Sequence, residues 1–141
     1  MFTLANIADI YSPLLLVISL AVSTYWWIKF KSVRGLMLVA SAVIVYSLMF
    51  LDNYLKMWPA FALDYSTHTA VTLALCVFIG ATLKSIRINI VLLVSLLVYG
   101  ELMVILNYHS WLDIFSTGAV VGLLLYLAYF GLQNNRFLKS K

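Results

Sequence analysis

The chain has 141 residues, of which 65% are apolar and only 10% are charged, and its mean hydropathy is +1.04. An ordinary soluble domain carries roughly 25% charged residues, so this composition excludes that class and indicates an integral membrane protein. The net charge of +4 is explained below by membrane topology, and we expect no nucleic-acid partner.

Five apolar segments follow one another with only short loops between them. A helix needs about 20 apolar residues to cross a bilayer core of about 30 Å. The sequence offers such segments at residues 11–29, 35–52, 67–84, 88–108 and 112–132. We therefore predict one all-α transmembrane domain over residues 1–141, a compact bundle of about five helices whose oligomeric state is left open.

Two features of these segments narrow the prediction. No Lys or Arg precedes Lys29, so the basic region of a signal peptide is missing and the first segment is expected to be a retained helix. The single cysteine, Cys76, lies in the middle of the third segment. We expect it to be a packed small apolar residue, since a disulfide within the chain has no second partner.

Loop charges predict the orientation in the membrane. Eight of the nine basic residues fall on one side of the predicted bundle: Lys29, Lys31, Arg34, Lys84, Arg87, Arg136, Lys139 and Lys141. Only Lys56 falls on the other side. By the positive-inside rule the basic side is cytoplasmic, which gives N-out and C-in. The five acidic residues then lie on or toward the outside: Asp9, Asp52, Asp64, Glu101 and Asp113. A compact protein of this kind without a sorting motif fits a bacterial inner membrane.

The two histidines lie at the outer ends of apolar segments, each near a carboxylate. His68 follows Asp64, and His109 precedes Asp113. Ionisable side chains are costly at such positions, so a functional role is the first hypothesis. If the fifth helix begins near His109, Asp113 lies one turn further on the same face. Its carboxylate can then orient one ring nitrogen and leave the other free to attack or to shuttle a proton.

The order of the two histidine elements resembles a known family. Residues 65–69 read Tyr-Ser-Thr-His-Thr before the third segment, and residues 109–114 read His-Ser-Trp-Leu-Asp-Ile before the fifth. This order resembles the type 2 phosphatidic acid phosphatase superfamily, which includes the sphingomyelin synthase-like phosphotransferases. The resemblance covers roughly residues 48–125, and Thr67 stands where that family usually has glycine.

The resemblance implies a two-step phosphoryl transfer on a membrane lipid at the extracytoplasmic leaflet. His109 is expected to attack phosphorus and form a phosphohistidine, with Asp113 orienting its ring. His68 is expected to protonate the leaving oxygen and then to activate water or an alcohol. The chemistry needs no metal or other cofactor, since helix N-termini and Ser66 can hold the phosphate oxygens. The remaining expected substrate-binding residues are Lys56, Asp64, Thr67 and Glu101.

Arginines of the phosphatase branch are missing from this sequence. Met103 stands six residues before His109, where that branch has arginine, and Trp58-Pro59 stands where Arg-Pro is expected. A site with Lys56 as its one cation binds a phosphate dianion poorly. The sequence therefore favours a phosphodiester substrate or a transferase, or else a degenerate site.

Several alternatives stay open at this point. The protein is either an enzyme or a non-catalytic membrane scaffold or transport accessory that keeps a degenerate site. The two histidines are catalytic, interfacial, or ligands of a zinc ion together with a carboxylate. Lys56 is either a substrate countercharge or a headgroup anchor. Glu101 is either a proton relay or substrate contact, or a buried partner for a neighbouring helix.

The aromatic and polar residues near helix ends have simpler default interpretations. Residues 25–27, Tyr-Trp-Trp, together with Trp58 and Trp111 are expected to be interfacial anchors. Trp111 has a second interpretation, as part of the wall of an acyl or prenyl groove. Asp52 and the adjoining asparagine are expected to be solvated at a helix end, with headgroup binding as the alternative.

Overall fold

The part of the chain that the structure describes folds into five α-helices. The computed structural model describes residues 3–30 and 34–134, and within these ranges it contains no strand. The helices are α1 (Leu4–Phe30), α2 (Gly35–Leu55), α3 (Thr67–Leu83), α4 (Ile86–Ile105) and α5 (Trp111–Asn134), with a short 3₁₀ turn at Pro59–Phe61. Four of them, α1, α2, α4 and α5, are long and apolar enough to cross a membrane. The predicted all-α membrane bundle is confirmed.

The third helix forms the centre of the bundle. α3 has 17 residues, which makes it the shortest of the five, and it contacts all four others. Its buried positions are mostly small: Thr69, Ala70, Thr72, Ala74, Cys76 and Gly80. Small residues allow helix backbones to approach closely in a membrane, where apolar side chains gain nothing by leaving lipid. The burial of Cys76, which is 6% exposed, confirms its predicted packing role.

Four of the five described basic residues gather at one end of the bundle, which we call the basic end: Lys29, Arg34, Lys84 and Arg87. The Arg34 guanidinium donates a hydrogen bond of 2.9 Å to the Thr82 carbonyl and lies 3.8 Å from the centre of the Trp26 ring. These contacts join the α1–α2 connection to the end of α3. The other four residues used for the topology prediction lie outside the described part of the chain: Lys31, Arg136, Lys139 and Lys141.

The opposite end carries both histidines and is called the histidine end. Here Asp52, 6% exposed, accepts a 2.8 Å hydrogen bond from the Trp58 backbone N–H. Trp58 is 5% exposed, packs edge-on against Tyr65 at 5.0 Å and donates its indole N–H to Ser116. The expectations of a solvated Asp52 and an interfacial Trp58 are wrong. Both side chains are buried because they hold the α2–α3 connection against α5.

Candidate functional site

The first turn of α3 determines where His68 lies. Ser66 is the N-cap residue, and its hydroxyl accepts a hydrogen bond from the Thr69 N–H at 3.3 Å while it donates to the Thr69 hydroxyl at 2.8 Å. Its side chain is fully buried, and its own N–H donates to Thr117. This capping arrangement is the type that stabilises helix starts. In this geometry Ser66 positions His68 in the first turn and does not offer its hydroxyl to a ligand, which corrects its predicted substrate role.

His109 precedes its helix instead of starting it. α4 ends at Ile105 and α5 begins at Trp111, one residue before the predicted fifth segment at 112–132, so His109 lies just outside the helix. The physical reason is a capping box at Ser110, whose hydroxyl accepts from the Asp113 N–H at 3.2 Å while the Asp113 carboxylate accepts from the Ser110 N–H at 2.8 Å. His109 therefore lies in the α4–α5 connection, and His109 and Asp113 do not form the i,i+4 pair that a helix beginning at His109 would give.

The Asp113 carboxylate is occupied by neighbours other than histidine. Besides the Ser110 N–H, it accepts hydrogen bonds from the Ser110 hydroxyl at 2.7 Å and from the Asp64 N–H at 2.7 Å. It is only 8% exposed. Among the described residues it makes no hydrogen bond to His109, so its predicted orienting role is wrong for this geometry. Asp113 instead ties the α2–α3 connection to the first turn of α5.

The carboxylate that faces His109 belongs to Asp64. The His109 Nδ1 atom lies 3.5 Å from an Asp64 carboxylate oxygen, within ion-pair distance but without hydrogen-bond geometry. The His109 side chain is 10% exposed, whereas that of Asp64 is 70% exposed. Burial lowers the pKa of His109 below its ordinary value of 6.5, since desolvation outweighs the opposing charges of Asp64 and Asp113. His109 is therefore neutral near pH 7, the state in which imidazole is a nucleophile.

The two histidine rings face one another across a short gap. Their centroids are 6.4 Å apart and their planes are inclined at 59°. The Nδ1 atom of His68 lies 3.2 Å from the hydroxyl of Tyr99 on α4. In each ring, then, Nδ1 is directed toward a protein group, and Nε2 has no hydrogen-bond partner among the described residues. Both Nε2 atoms, at the same end of the bundle, are thus free of protein partners among the described residues and available to a bound group.

An apolar cavity lies beside this pair, between α3, α4 and α5. Its volume is about 350 Å³, and its wall includes Tyr99, Gly100, Trp111 and Gly118. Gly100 permits the close approach of Trp111, because a Cβ atom there would lie 3.3 Å from the indole ring. The position of Trp111 in this wall agrees with the groove interpretation. Tyr99 both lines the cavity and contacts His68, so this residue connects the cavity to the histidine pair, although neither histidine is itself a lining residue.

The other predicted substrate-binding residues are less closely connected to the histidines. Lys56 ends α2 in a left-handed conformation and its side chain is exposed. Thr67 is the half-buried first residue of α3. Glu101 is exposed on α4, so its interpretation as a buried helix partner is wrong. No described hydrogen bond or ion pair joins any of these three side chains to His68 or His109, and their roles toward substrate stay predictions.

Two further findings concern what the site can hold. Within residues 3–30 and 34–134, no group of three His, Cys, Asp or Glu side chains is arranged to bind a metal ion. Tyr99, which contacts His68, was not expected from the sequence, because a tyrosine inside an apolar segment gives no distinguishing signal. Comparison with protein-family models, with curated proteins and with solved structures finds no significant match.

Proposed function

We propose that this chain is a membrane lipid phosphatase or headgroup phosphotransferase that works through a phosphohistidine on His109. The observation that carries the proposal is the pairing of His68 and His109, 6.4 Å apart, beside an apolar cavity of about 350 Å³. A lipid phosphate or phosphodiester has the matching chemistry, with a polar phosphorus centre joined to hydrocarbon. The apolar wall accommodates part of the hydrocarbon while the phosphorus lies between the rings.

In the first step, the Nε2 atom of neutral His109 attacks phosphorus, and the bond from phosphorus to the leaving oxygen breaks. Protonated His68 gives its Nε2 proton to that oxygen. In the second step, neutral His68 takes a proton from water or an alcohol, whose oxygen attacks phosphorus as the bond to His109 breaks. Both histidines return to their starting states, and the identity of the acceptor decides between hydrolysis and transfer.

The separation of the two rings supports this assignment. A nucleophile in a reactive complex lies about 3–3.5 Å from the atom that it attacks. A general acid lies about 2.6–3.2 Å from the oxygen that it protonates. With their ring centroids 6.4 Å apart, both imidazoles are close enough to contact one bound phosphoryl group. The lowered pKa of His109 keeps that ring neutral and available for attack.

Charge favours a substrate with one negative charge over a dianion. Among the described residues, no Lys or Arg side chain makes an ion pair or hydrogen bond with His68, His109 or Asp64. An arginine fork is the usual partner of a doubly charged phosphate. A phosphodiester carries a single charge, which His68, protonated at the start of the first step, and the exposed Lys56 at the same end can balance. We therefore place phosphodiesters ahead of phosphomonoesters as substrates.

The proposed location is the extracytoplasmic leaflet of a bacterial inner membrane. Lys29, Arg34, Lys84 and Arg87 are at the end opposite the histidines, and the positive-inside rule assigns such an end to the cytoplasm. Four apolar helices of spanning length support the membrane location itself. A site at the outer surface receives substrate laterally from the bilayer.

Thin-layer analysis of purified protein tests the proposal directly. The protein is incubated in right-side-out vesicles with labelled lipid phosphates and phosphodiesters added to the outer leaflet. We expect at least one lipid to lose or transfer its phosphoryl group, and His109→Gln to abolish that turnover. His68→Gln should cost about 10²–10⁴-fold, as is typical for a positioned acid or base. Inactivity toward the whole panel, or full activity in His109→Gln, contradicts the proposal.

A further inference from the structure

We infer that Tyr99 is a positioning residue that holds neutral His68 in the Nδ1–H tautomer, so that Nε2 is the atom that exchanges protons. The inference deepens the proposed function and rests on it for its catalytic meaning. Its structural content, the tautomer of His68, is independent of turnover. Nothing in the two histidine elements of the sequence points to this residue, which lies in the middle of an apolar segment.

The Tyr99 ring is held firmly between helices. Its side chain is 4% exposed and stacks on Tyr11 of α1, with ring centroids 4.4 Å apart and planes inclined at 29°. The Tyr11 hydroxyl in turn donates a hydrogen bond of 2.8 Å to Ser95 on α4. A tyrosine packed in this way keeps its hydroxyl at one place, and that place is 3.2 Å from the Nδ1 atom of His68.

Counting protons at the Tyr99 hydroxyl selects the tautomer. The hydroxyl makes two hydrogen bonds, with the Ala8 carbonyl oxygen at 3.4 Å and with the Nδ1 atom of His68 at 3.2 Å, and the otherwise unpaired Ser12 hydroxyl is a third polar neighbour. The carbonyl can only accept, so it takes the single proton of the tyrosine hydroxyl. The hydroxyl oxygen is then free to accept a hydrogen bond from Nδ1–H. The reverse arrangement, in which tyrosine donates to Nδ1, leaves the contact with the Ala8 carbonyl unused, whereas the first arrangement uses both hydrogen bonds of the hydroxyl.

This arrangement suits both catalytic steps. With Nδ1–H bonded to Tyr99, neutral His68 presents the Nε2 lone pair and protonated His68 presents Nε2–H. The Nδ1–H bond is the same in both states, so the ring keeps its orientation as the proton comes and goes. A free histidine side chain in water prefers the Nε2–H form, which has no lone pair at that nitrogen. Tyr99 thus opposes the intrinsic preference and keeps the reactive nitrogen available.

Nitrogen NMR of the full-length protein in detergent micelles tests the tautomer. The chain has only two histidines, so ¹⁵N-histidine labelling gives two ring signals, which His68→Gln assigns. Above the titration range, we expect His68 to carry its proton on Nδ1 in the wild type. In Tyr99→Phe the proton should move predominantly to Nε2. Tyr108→Phe is the matched control, since that ring lies 6.3 Å from His68 without a described hydrogen bond to it, and it should leave the tautomer unchanged.

Kinetic measurements on the same variants test how the tautomer of His68 affects turnover. A hydrogen bond of ordinary strength corresponds to a tautomer shift of up to about tenfold, so Tyr99→Phe should lower kcat by up to that factor while KM changes little. Tyr108→Phe should retain the wild-type kcat. An Nε2–H signal for His68 in the wild type overturns the inference whether or not the protein is active. An Nδ1–H signal lost in Tyr99→Phe supports it, even if the panel of lipids shows no turnover.

Discussion

Asp113 is predicted to matter for stability more than for the ionisation of His109. The carboxylate is 8% exposed and accepts hydrogen bonds from the Ser110 N–H, the Ser110 hydroxyl and the Asp64 N–H. Replacement by alanine removes all three and opens the link between the α2–α3 connection and α5. Replacement by asparagine retains one acceptor oxygen and should be milder.

The magnitude follows from these three bonds. A hydrogen bond to a charged group contributes about 1.5–3 kcal/mol. Ser110 and Asp64 are exposed residues. Water can therefore form hydrogen bonds with their N–H and O–H donors once the carboxylate is removed, which compensates part of the lost free energy. We therefore expect Asp113→Ala to lower the free energy of unfolding by about 3 kcal/mol, which is less than the roughly 4.5–9 kcal/mol that three such bonds would contribute without this compensation by water. Asp64→Asn, the matched control with a 70% exposed side chain, should change it by less than about 0.5 kcal/mol.

The single cysteine provides the assay. Cys76 is buried in α3, so a thiol-reactive fluorophore labels it only when the bundle opens. Heating each variant in detergent with the fluorophore gives an apparent unfolding midpoint. The midpoint should fall clearly in Asp113→Ala, fall less in Asp113→Asn and stay near the wild-type value in Asp64→Asn. A wild-type midpoint for Asp113→Ala would refute the structural role that the hydrogen bonds assign to this carboxylate.

Three further predictions concern activity. In Asp64→Asn the acidic limb of the kcat/KM profile should move to lower pH, because the negative charge of Asp64 raises the pKa of His109. An exposed ion pair contributes at most about 1 kcal/mol, so the shift should be less than one pH unit. A shift to higher pH contradicts the assignment of this limb to His109. Gly118→Leu should reduce kcat/KM about tenfold for long-chain lipids and hardly at all for short-chain analogues. The cavity has open space at Gly118, so a leucine side chain there would occupy room that a long lipid chain uses. Equal losses for both kinds of lipid would show that the cavity does not bind the chain. Activity should survive metal chelators, since imidazole attacks phosphorus without a metal; loss of activity restored by zinc would favour the zinc alternative.

The helices were largely predictable because the bilayer imposes a strong rule on composition. Each predicted segment overlaps a helix, and the segment at residues 67–84 differs from α3, Thr67–Leu83, by one residue. The placement of both histidines at one end also follows from the sequence. Consecutive spans alternate in direction, so two elements that precede the third and fifth spans emerge on the same side.

The internal arrangement of the site was less predictable because short-range hydrogen bonds decide it. Ser110 forms a capping box with Asp113, which moves the helix start past His109. The sequence contains this capping-box pattern as Ser-x-x-Asp at residues 110–113. Asp113 also follows His109 by four residues, so the sequence alone does not decide which of the two neighbours its carboxylate contacts. The approach of Asp64 to His109 depends on how two loops fold together, and periodicity contains no information on such a contact.

Buried polar residues were mispredicted for a related reason. Asp52 was expected in solvent because helix ends usually are, yet its carboxylate accepts the Trp58 N–H inside the α2–α3 connection. Similarly, Trp58 was expected at the membrane interface and is instead packed against Tyr65. Composition rules describe where residue types lie on average, whereas the folding of one loop against one helix sets these individual positions.

Direct detection of the covalent intermediate tests the central claim. The protein is mixed with a lipid substrate identified from the panel. The reaction is stopped within its first turnover under alkaline denaturing conditions, which preserve phosphohistidine. Peptides of the protein are then analysed by mass spectrometry. The account predicts a phosphoryl adduct, bearing the retained part of the substrate, on the peptide that contains His109, formed and lost at rates compatible with turnover and absent from His109→Gln. An adduct on His68 or on any other residue, or turnover without an adduct at His109, would contradict it.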